Sequence, residues 1–394
     1  MAQQSLAVVG AGLVGLASAR GLMERFPRAR VTVLEKEAEV GAHQSSHNSG
    51  VVHAGVYYRP GSQKARLCAE GRELLARFCE AEGVDYLERG KLVVATTSAQ
   101  LATLRAVAAR ARTNSVPGAS WLGPQAARRL EPHVKAVAAL HSPRTAVVDY
   151  PGVARALARQ VEVRLGFEVA RIDCTGPQVV LRSQHGEELV AHGVVICAGL
   201  QSDLLATLAG DSPEPEIVPF LGEYWRLAPG REGLVNGLVY PVPDLRYPFL
   251  GVHFTKRVDG SVEVGPNALL ALSREGYRRW AIERSQVRRL ASSPAVRAMA
   301  RRHWRAGLAE GLGALSKSVY LARARALIPD LCPEDLVRGP VGVRAQAVDK
   351  SGTLVDDFVV HRVGGSGRVV AVRNAPSPAA TAALAIGRQV AQLL

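Results

Sequence analysis

A short stretch of this chain gathers side chains that can move protons and grip anions. His47-Asn48-Ser49-Gly50-Val51-Val52-His53-Ala54-Gly55-Val56-Tyr57-Tyr58 sets two imidazoles and two phenols among small residues. A neutral imidazole near pH 7 suits proton abstraction, so His53 is a candidate base. The competing reading is a histidine that only hydrogen-bonds its own loop. His253 closes the apolar run Phe249-Leu250-Gly251-Val252-His253-Phe254. In a module laid over a bound ligand it would point at that ligand; otherwise it is a satisfied core histidine. The pair His53 and His253 is expected to contain the base, with no choice made between them. Arg344, after Gly342-Val343, carries the planar fork that holds a carboxylate through two bonds, or is one more surface arginine. Tyr57 and Tyr224 offer hydroxyls to a substrate, against the plainer role of packing. Lys64 and Arg257 are weaker candidates for a second carboxylate. His47, Asn48, Ser49 and Gly50 read as a polar turn suited to a cofactor ring or its diphosphate. No metal site is expected.

Those groups need a scaffold, and the N-terminus supplies one. Leu6-Ala7-Val8-Val9 reads as a buried strand that breaks into Gly10-Ala11-Gly12-Leu13-Val14-Gly15 before a helix. Gly10 suits the tight turn, Gly12 the approach of a pyrophosphate, and Gly15 close helix–strand packing. The helix start then presents unpaired N–H groups to the phosphates. A second strand, Val31-Thr32-Val33-Leu34, ends at Glu35, an acid suited to ribose hydroxyls and hostile to a 2′-phosphate. Lys36 is grouped with the same site. Strand, glycines, helix, strand and acid in this order identify a dinucleotide site.

At 394 residues the chain has room for two domains. After the first βαβ unit, Pro60 to Glu82 reads as a helix, Gly90 to Ala95 as a strand, and Val161 to Val169 and Val179 to Arg182 as strands. Val194 to Gly199 is another buried strand, and Ser202 is a candidate cap for the helix after it. Pro219 to Pro266 is rich in strands and turns, Tyr277 to Tyr320 is helical, and Val359 to Val372 returns to strands. Arg373-Asn374-Ala375-Pro376-Ser377-Pro378-Ala379-Ala380-Thr381 opens a last helix, where proline suits the first turn. The α/β texture at both ends and in the middle points to one nucleotide domain interrupted twice.

The net charge of +14 raises the question of nucleic acid. The basic residues are mostly arginine, spread over both halves, with no aromatic reading platform, so nucleic acid is not expected as a partner. Arg284 to Arg305 is the densest cluster. It reads first as a solvated helix face and second as a peripheral contact with anionic lipid near a membrane electron acceptor. No apolar run reaches the length of a membrane span, Met1 to Ser5 is too short for a signal peptide, and the five scattered cysteines suit a reduced, cytoplasmic setting.

The order of elements resembles flavoproteins of the D-amino-acid oxidase superfamily. The motifs resemble one member family, the FAD-dependent L-2-hydroxyglutarate dehydrogenases/oxidases. The resembling blocks are His43-Gln44-Ser45-Ser46-His47-Asn48-Ser49-Gly50 onward to Tyr58, Tyr240-Pro241-Val242-Pro243-Asp244, Pro248 to His253, Val264-Gly265-Pro266-Asn267-Ala268, Arg274-Glu275-Gly276-Tyr277, Gly342-Val343-Arg344-Ala345-Gln346-Ala347 and Arg373 to Thr381. They cover essentially the whole chain. Two departures stand out: Ser45-Ser46 replaces the family's Thr-Gly, and the stretch from Ala158 to Val163 is a few residues short.

The resemblance implies an α/β fold: an interrupted Rossmann-like FAD-binding domain of the D-amino-acid oxidase/glutathione reductase type with a β-sheet-plus-helix substrate domain. The expected boundaries are 1–86, 147–215 and 338–394 for the FAD domain, and 87–146 and 216–337 for the cap. It implies FAD as cofactor and a dicarboxylate, L-2-hydroxyglutarate, oxidised to 2-oxoglutarate, with a quinone or oxygen receiving the electrons. It also implies that Ala198, Gly199 and the segment Asn374, Pro376, Ser377, Pro378 and Thr381 bind FAD, and that Val169 meets adenine through its backbone. The same fold acting on an amino acid or another 2-hydroxy acid is the alternative. A flavin-bearing binding module without catalysis is the third reading, and it leaves the His/Tyr loop unexplained.

Overall fold

Along the first strand, β1 (Ser5–Val9), Leu6 and Val8 point one way, Ala7 and Val9 the other, and all four are buried. Two faces need two covers, the situation of a parallel sheet sandwiched between layers. In the computed structural model, residues 4–243, 251–365 and 367–394 are described, without the side chains at 306, 308, 309, 312, 313 and 315. After β1 come helix α1 (Leu13–Arg25), strand β2 (Arg30–Leu34), helix α2 (Gln63–Glu82) and strand β3 (Lys91–Ala95). Strands β4 (Glu162–Arg164), β5 (Gly193–Ile196), β6 (Glu216–Leu227), β7 (Leu238–Pro241), β8 (His253–Lys256) and β9 (Val262–Gly265) follow. Then come helices α3 (Arg284–Ser292) and α4 (Pro294–Leu315), strands β10 (Leu336–Val348), β11 (Val359–Val363) and β12 (Val369–Asn374), and helix α5 (Ala379–Leu393).

The first sheet runs β11-β12-β5-β1-β2-β4, parallel except for its edge strand β11. Leu6 and Val8 pack with Leu16 and Leu22 of α1, Leu67 of α2 and Ile386 of α5. Ala7 and Val9 pack against Val179, Leu181 and Leu189 of an antiparallel meander on the opposite face. The helices α1 and α5 touch backbone to backbone: a Cβ on Gly21 would lie 2.5 Å from the Gly387 carbonyl oxygen.

The second sheet is larger and mostly antiparallel. Its centre is β9-β8-β7-β3, extended through Ala138–Ser142 to Ser120–Leu122, while β6 joins the other flank and pairs along most of its length with β10. Strand β7 therefore has β8 on one side and β3 on the other, with Leu238 opposite Thr255 and Lys91.

Several sequence expectations shift. The stretch Val161 to Val169 is two strands: β4 joins the first sheet, Gly166 turns the chain at φ +73°, and Val169–Asp173 begins the meander. Ser202 does not cap its helix; it is the first helical residue, and its hydroxyl donates to the Arg373 carbonyl. The helical region starts at Arg284, and Leu272 instead bridges Ile282. The nucleotide segment expected from 338 supplies strands to the first sheet only from Val359, because β10 pairs in the second sheet. The portions of the Tyr240 and Pro248 blocks at 244–250, Phe249 and Leu250 included, lie outside the described residues. Among the described residues no helix is long and apolar enough to cross a membrane.

Candidate functional site

The carboxyl ends of the parallel strands build one wall of the site, as open α/β sheets generally do. Gly10 leaves β1 at φ +102°, and a Cβ there would meet the Cys197 carbonyl oxygen at 2.4 Å. A Cβ on Gly15 would lie 1.9 Å from the Gly10 oxygen, so α1 can start this close to the strand only with glycine. Gly12, the N-cap of α1, offers no side-chain cap of its own; Ser45 takes the Leu13 N–H, and the positive end of the helix dipole still favours an anion here. The Glu35 carboxylate is held by the Ala11 N–H at 2.7 Å and the Glu37 N–H at 3.0 Å. Arg164 and Phe167 bond to the Glu35 backbone, bringing the chain that continues to Val169 alongside this acid. Gly199, at φ +52°, follows Ala198 at the end of β5. The open glycine turn, the acid at the β2 end and a second uncapped helix start at α5 fit a dinucleotide with a flat ring.

The loop between β2 and α2 locks itself over this wall. Asn48 bonds the Gln44 and Ser45 carbonyls through Nδ2, and its Oδ1 accepts from the Gly50 N–H. His47 stacks on Tyr277 at 3.9 Å and bonds the His43 carbonyl through Nδ1. The serines that depart from the family pattern both have work here. Ser45 Oγ accepts the Leu13 N–H at 2.9 Å, and Ser46 Oγ donates to the Gly41 carbonyl. Lys36 bridges Glu37 and Glu275, and His43 also bonds Glu37. The donor atoms of Glu37, His43 and Glu275 are close enough for a cation, but the Lys36 ammonium already pairs with both carboxylates.

The second sheet closes a cleft over the α5 start. His53, Lys64, Tyr224, His253, Arg344 and Ser377 all face it, together with His47, Asn48, Ser49, Pro376, Pro378 and Thr381. The His53 backbone N–H donates to Thr381 Oγ1 at 3.1 Å, and its Nε2 lies 3.4 Å from Ser377 Oγ. His253 Nδ1 lies 2.8 Å from the Gly251 carbonyl. A carbonyl only accepts, so the neutral ring carries its proton on Nδ1 and keeps Nε2 as a basic lone pair. The ring lies flat on Tyr240 at 3.9 Å. Lys64 is buried and pairs with the exposed Asp356 at 2.8 Å.

Charge in the cleft is shaped by burial. Burial pulls the His253 imidazole down to about 3, Lys91 and Arg344 push the same way, and the Gly251 carbonyl opposes them. His53 moves down as well, through burial first and then the cations Lys91 and Lys64 together with His253. Burial raises the Tyr224 hydroxyl, while its hydrogen bond with Arg344 draws it back. Both histidines are neutral at physiological pH.

Three candidates sit elsewhere. Tyr57 packs outside the cleft against Ala54 and Val56, and its hydroxyl has no partner among the described residues. Arg257 is engaged by the Asn48 carbonyl and Glu263. Asn374, 1% exposed, spends its amide on the Val355 and Asp357 carbonyls, pinning the turn before α5. Sequence reasoning missed Tyr240 and Lys91. A lysine at the head of the apolar run Leu92-Val93-Val94-Ala95 was the available signal. A second groove opens between α1, α2 and α5, but Arg20 and Glu24 in it pair with each other. The cleft over α5 has the chemistry.

A parallel sheet with a glycine turn and an acid at its carboxyl edge, roofed by a second sheet bearing neutral histidines, defines a flavin-dependent oxidoreductase. Comparison with known proteins agrees: residues 5–393 match the family described as FAD dependent oxidoreductase. The mitochondrial L-2-hydroxyglutarate dehydrogenase of Homo sapiens is 41% identical, over 98% of this chain and 87% of its own length. The L-2-hydroxyglutarate dehydrogenase of Indibacter alkaliphilus is 39% identical, over 98% and 97%. Among solved structures, FAD-bound L-alpha-glycerophosphate oxidase from Mycoplasma pneumoniae superposes with a TM-score of 0.81 at 22% identity, covering 100% of this chain and 95% of that one. The chain belongs to the FAD-dependent oxidoreductases and, within them, to the L-2-hydroxyglutarate dehydrogenase family.

Proposed function

We propose that this protein oxidises L-2-hydroxyglutarate to 2-oxoglutarate with FAD and passes the electrons to a quinone or to oxygen. The observation that carries the reading is the cleft itself. A histidine whose Nε2 has no partner among the described residues, an arginine and a lysine face one space against the start of α5. When bound, FAD supplies the acceptor for the C2 hydride. Arg344, with Tyr224 beside it, holds the carboxylate next to the reacting carbon, and Lys64 takes the distal one. His253 accepts the hydroxyl proton at Nε2 as the alcohol becomes a ketone. The negative charge of the substrate raises the low proton affinity of this ring toward the working range. His53, tied to Thr381 and facing Ser377, keeps the loop against the α5 start, whose N–H groups favour negative charge on the cofactor ring.

The glycine turn, Glu35, Gly199 and the Pro376 to Thr381 segment hold the FAD. Lys36, through Glu37 and Glu275, closes the loop above it. We also place a peripheral lipid contact on α3 and α4, where Arg288, Arg289, Arg297, Arg301, Arg302 and Arg305 are not buried. Sedimentation with anionic vesicles at low and high salt tests that contact.

The test of the reaction is turnover with a quinone analogue and with oxygen, followed by product identification. Conversion of the L-isomer to 2-oxoglutarate, with the D-isomer inert, is expected. Conversion of an amino acid instead, with both isomers inert, would transfer the site to a different substrate.

A further inference from the structure

Lys91 is 2% exposed, donates no hydrogen bond and pairs with no carboxylate among the described residues. A buried ammonium without an anion is costly, and a methionine of similar length would fill the same space without that cost. Its surroundings are aromatic. The Nζ lies 4.1 Å from the Tyr240 ring centre and 5.4 Å from that of Tyr57. Tyr240 is on β7, with Lys91 on the neighbouring strand β3 and His253 at the head of the other neighbour, β8. The three side chains are therefore linked in series: ammonium, phenol ring, imidazole. On its other flank, α2 brings Cys68, whose thiol donates to the His53 carbonyl.

We propose that Lys91 is a positioning residue for the proton-accepting histidines: its ammonium, set behind Tyr240, repels protons from His253 and His53 and keeps both rings in the neutral, accepting form. This rests on the assignment of a histidine base made above.

The electrostatics agree in direction. Lys91 is the leading charge acting on His53 after burial, and it acts on His253 in the same sense. Burial brings Lys91 itself down to about 7, with Cys68 working weakly against that. Its charge is thus present below about pH 7, the range in which an ordinary histidine takes up a proton. The other groups facing these rings are Lys64 from α2, Arg344 from β10, and Tyr58 and Tyr240. Lys64 is partly neutralised by Asp356, and Arg344 is the group that a substrate carboxylate would engage. That leaves Lys91 as the cation whose effect on the histidines persists without a partner.

The sign is definite. Removing a neighbouring cation makes protonation easier, so the histidines rise toward their ordinary value. The experiment compares wild type, Lys91→Met and Lys91→Arg as FAD-loaded enzymes, by the pH profile of kcat/KM and by NMR of ¹³Cε1-labelled histidines. His53→Gln and His253→Gln spectra assign the resonances. In wild type both rings should stay neutral across about pH 5 to 8, the ordinary histidine range. In Lys91→Met the midpoint of at least one ring should move up, and the acid limb of kcat/KM should move up with it by about one pH unit, a tenfold change in the protonated-to-neutral ratio. Lys91→Arg should restore the wild-type limb. A purely packing role predicts no movement of either readout in Lys91→Met, and that result would overturn the proposal. The NMR arm needs no substrate, so a wrong substrate assignment would show as absent turnover without affecting this test.

Discussion

The two sheets fill their interiors differently. At the centre of the first sheet β1 and β5 bury only aliphatic and small residues, and the polar groups buried on its other strands, Thr32, Arg373 and Asn374, each have partners, whereas the second sheet buries Lys91, His253, Thr255, Glu263 and Gln346 within its strands. Burying such groups costs stability unless each finds a partner; Glu263 pairs with Arg257 through Oε1, while its Oε2 finds none among the described residues. The first sheet does its chemistry with backbone: glycines that admit a close approach and helix starts that present N–H groups. The second sheet does it with side chains and accepts the destabilisation. In the proposed reading one region holds the cofactor and the other reacts with what is laid beside it.

That contrast makes separable predictions. The largest effect belongs to the first sheet. Gly15→Val would drive a side chain into the Gly10 carbonyl, and the purified protein should lose its bound FAD, read as loss of the yellow flavin absorbance. A yellow, active variant would mean that the turn tolerates a side chain and that backbone contact is not decisive. In the second sheet, Arg344→Ala should leave FAD binding intact and raise KM for the dicarboxylate by about tenfold to a hundredfold, the range of a lost charge-assisted hydrogen bond. An unchanged KM removes Arg344 from the substrate. The smallest effect concerns stability. Lys91 titrates at about 7 when folded, well below an exposed lysine, so the folded state is penalised wherever the ammonium must be charged. The unfolded chain holds more protons above that pH, and stability contributed by this group rises from about pH 7 upward. Lys91→Met should therefore melt above wild type at pH 6, with the gap closing as the pH approaches the ordinary lysine range.

The same contrast explains what the sequence made legible. The glycine turn and Glu35 are legible because their order and spacing carry the message, although Gly10 meets Cys197 and Glu35 meets Ala11 across the sheet. His53 and the Pro376 to Thr381 turn were also visible, because loop composition marks them. Lys91 meets Tyr240 and His253 only through the register of β3 beside β7, and β3 lies far from β7 and β8 in the chain. Pairing between distant strands is set by the tertiary fold, and no local pattern reports it. For the same reason Asn374 looked like a cofactor ligand from its motif, while the structure turns its amide toward the Val355 and Asp357 carbonyls. The split of Val161 to Val169 between two sheets follows from one glycine turn inside an otherwise continuous β pattern.

The most direct test of the division between holding and reacting is anaerobic mixing of L-2-hydroxyglutarate with wild type and His253→Gln, following flavin absorbance, with the D-isomer as control. Wild type should bleach rapidly with the L-isomer alone. His253→Gln should carry the same FAD and bleach about a hundredfold to ten-thousandfold more slowly, the usual worth of a positioned base. Equal rates in the two proteins would contradict the account, since the second sheet would then contribute no base to the reaction.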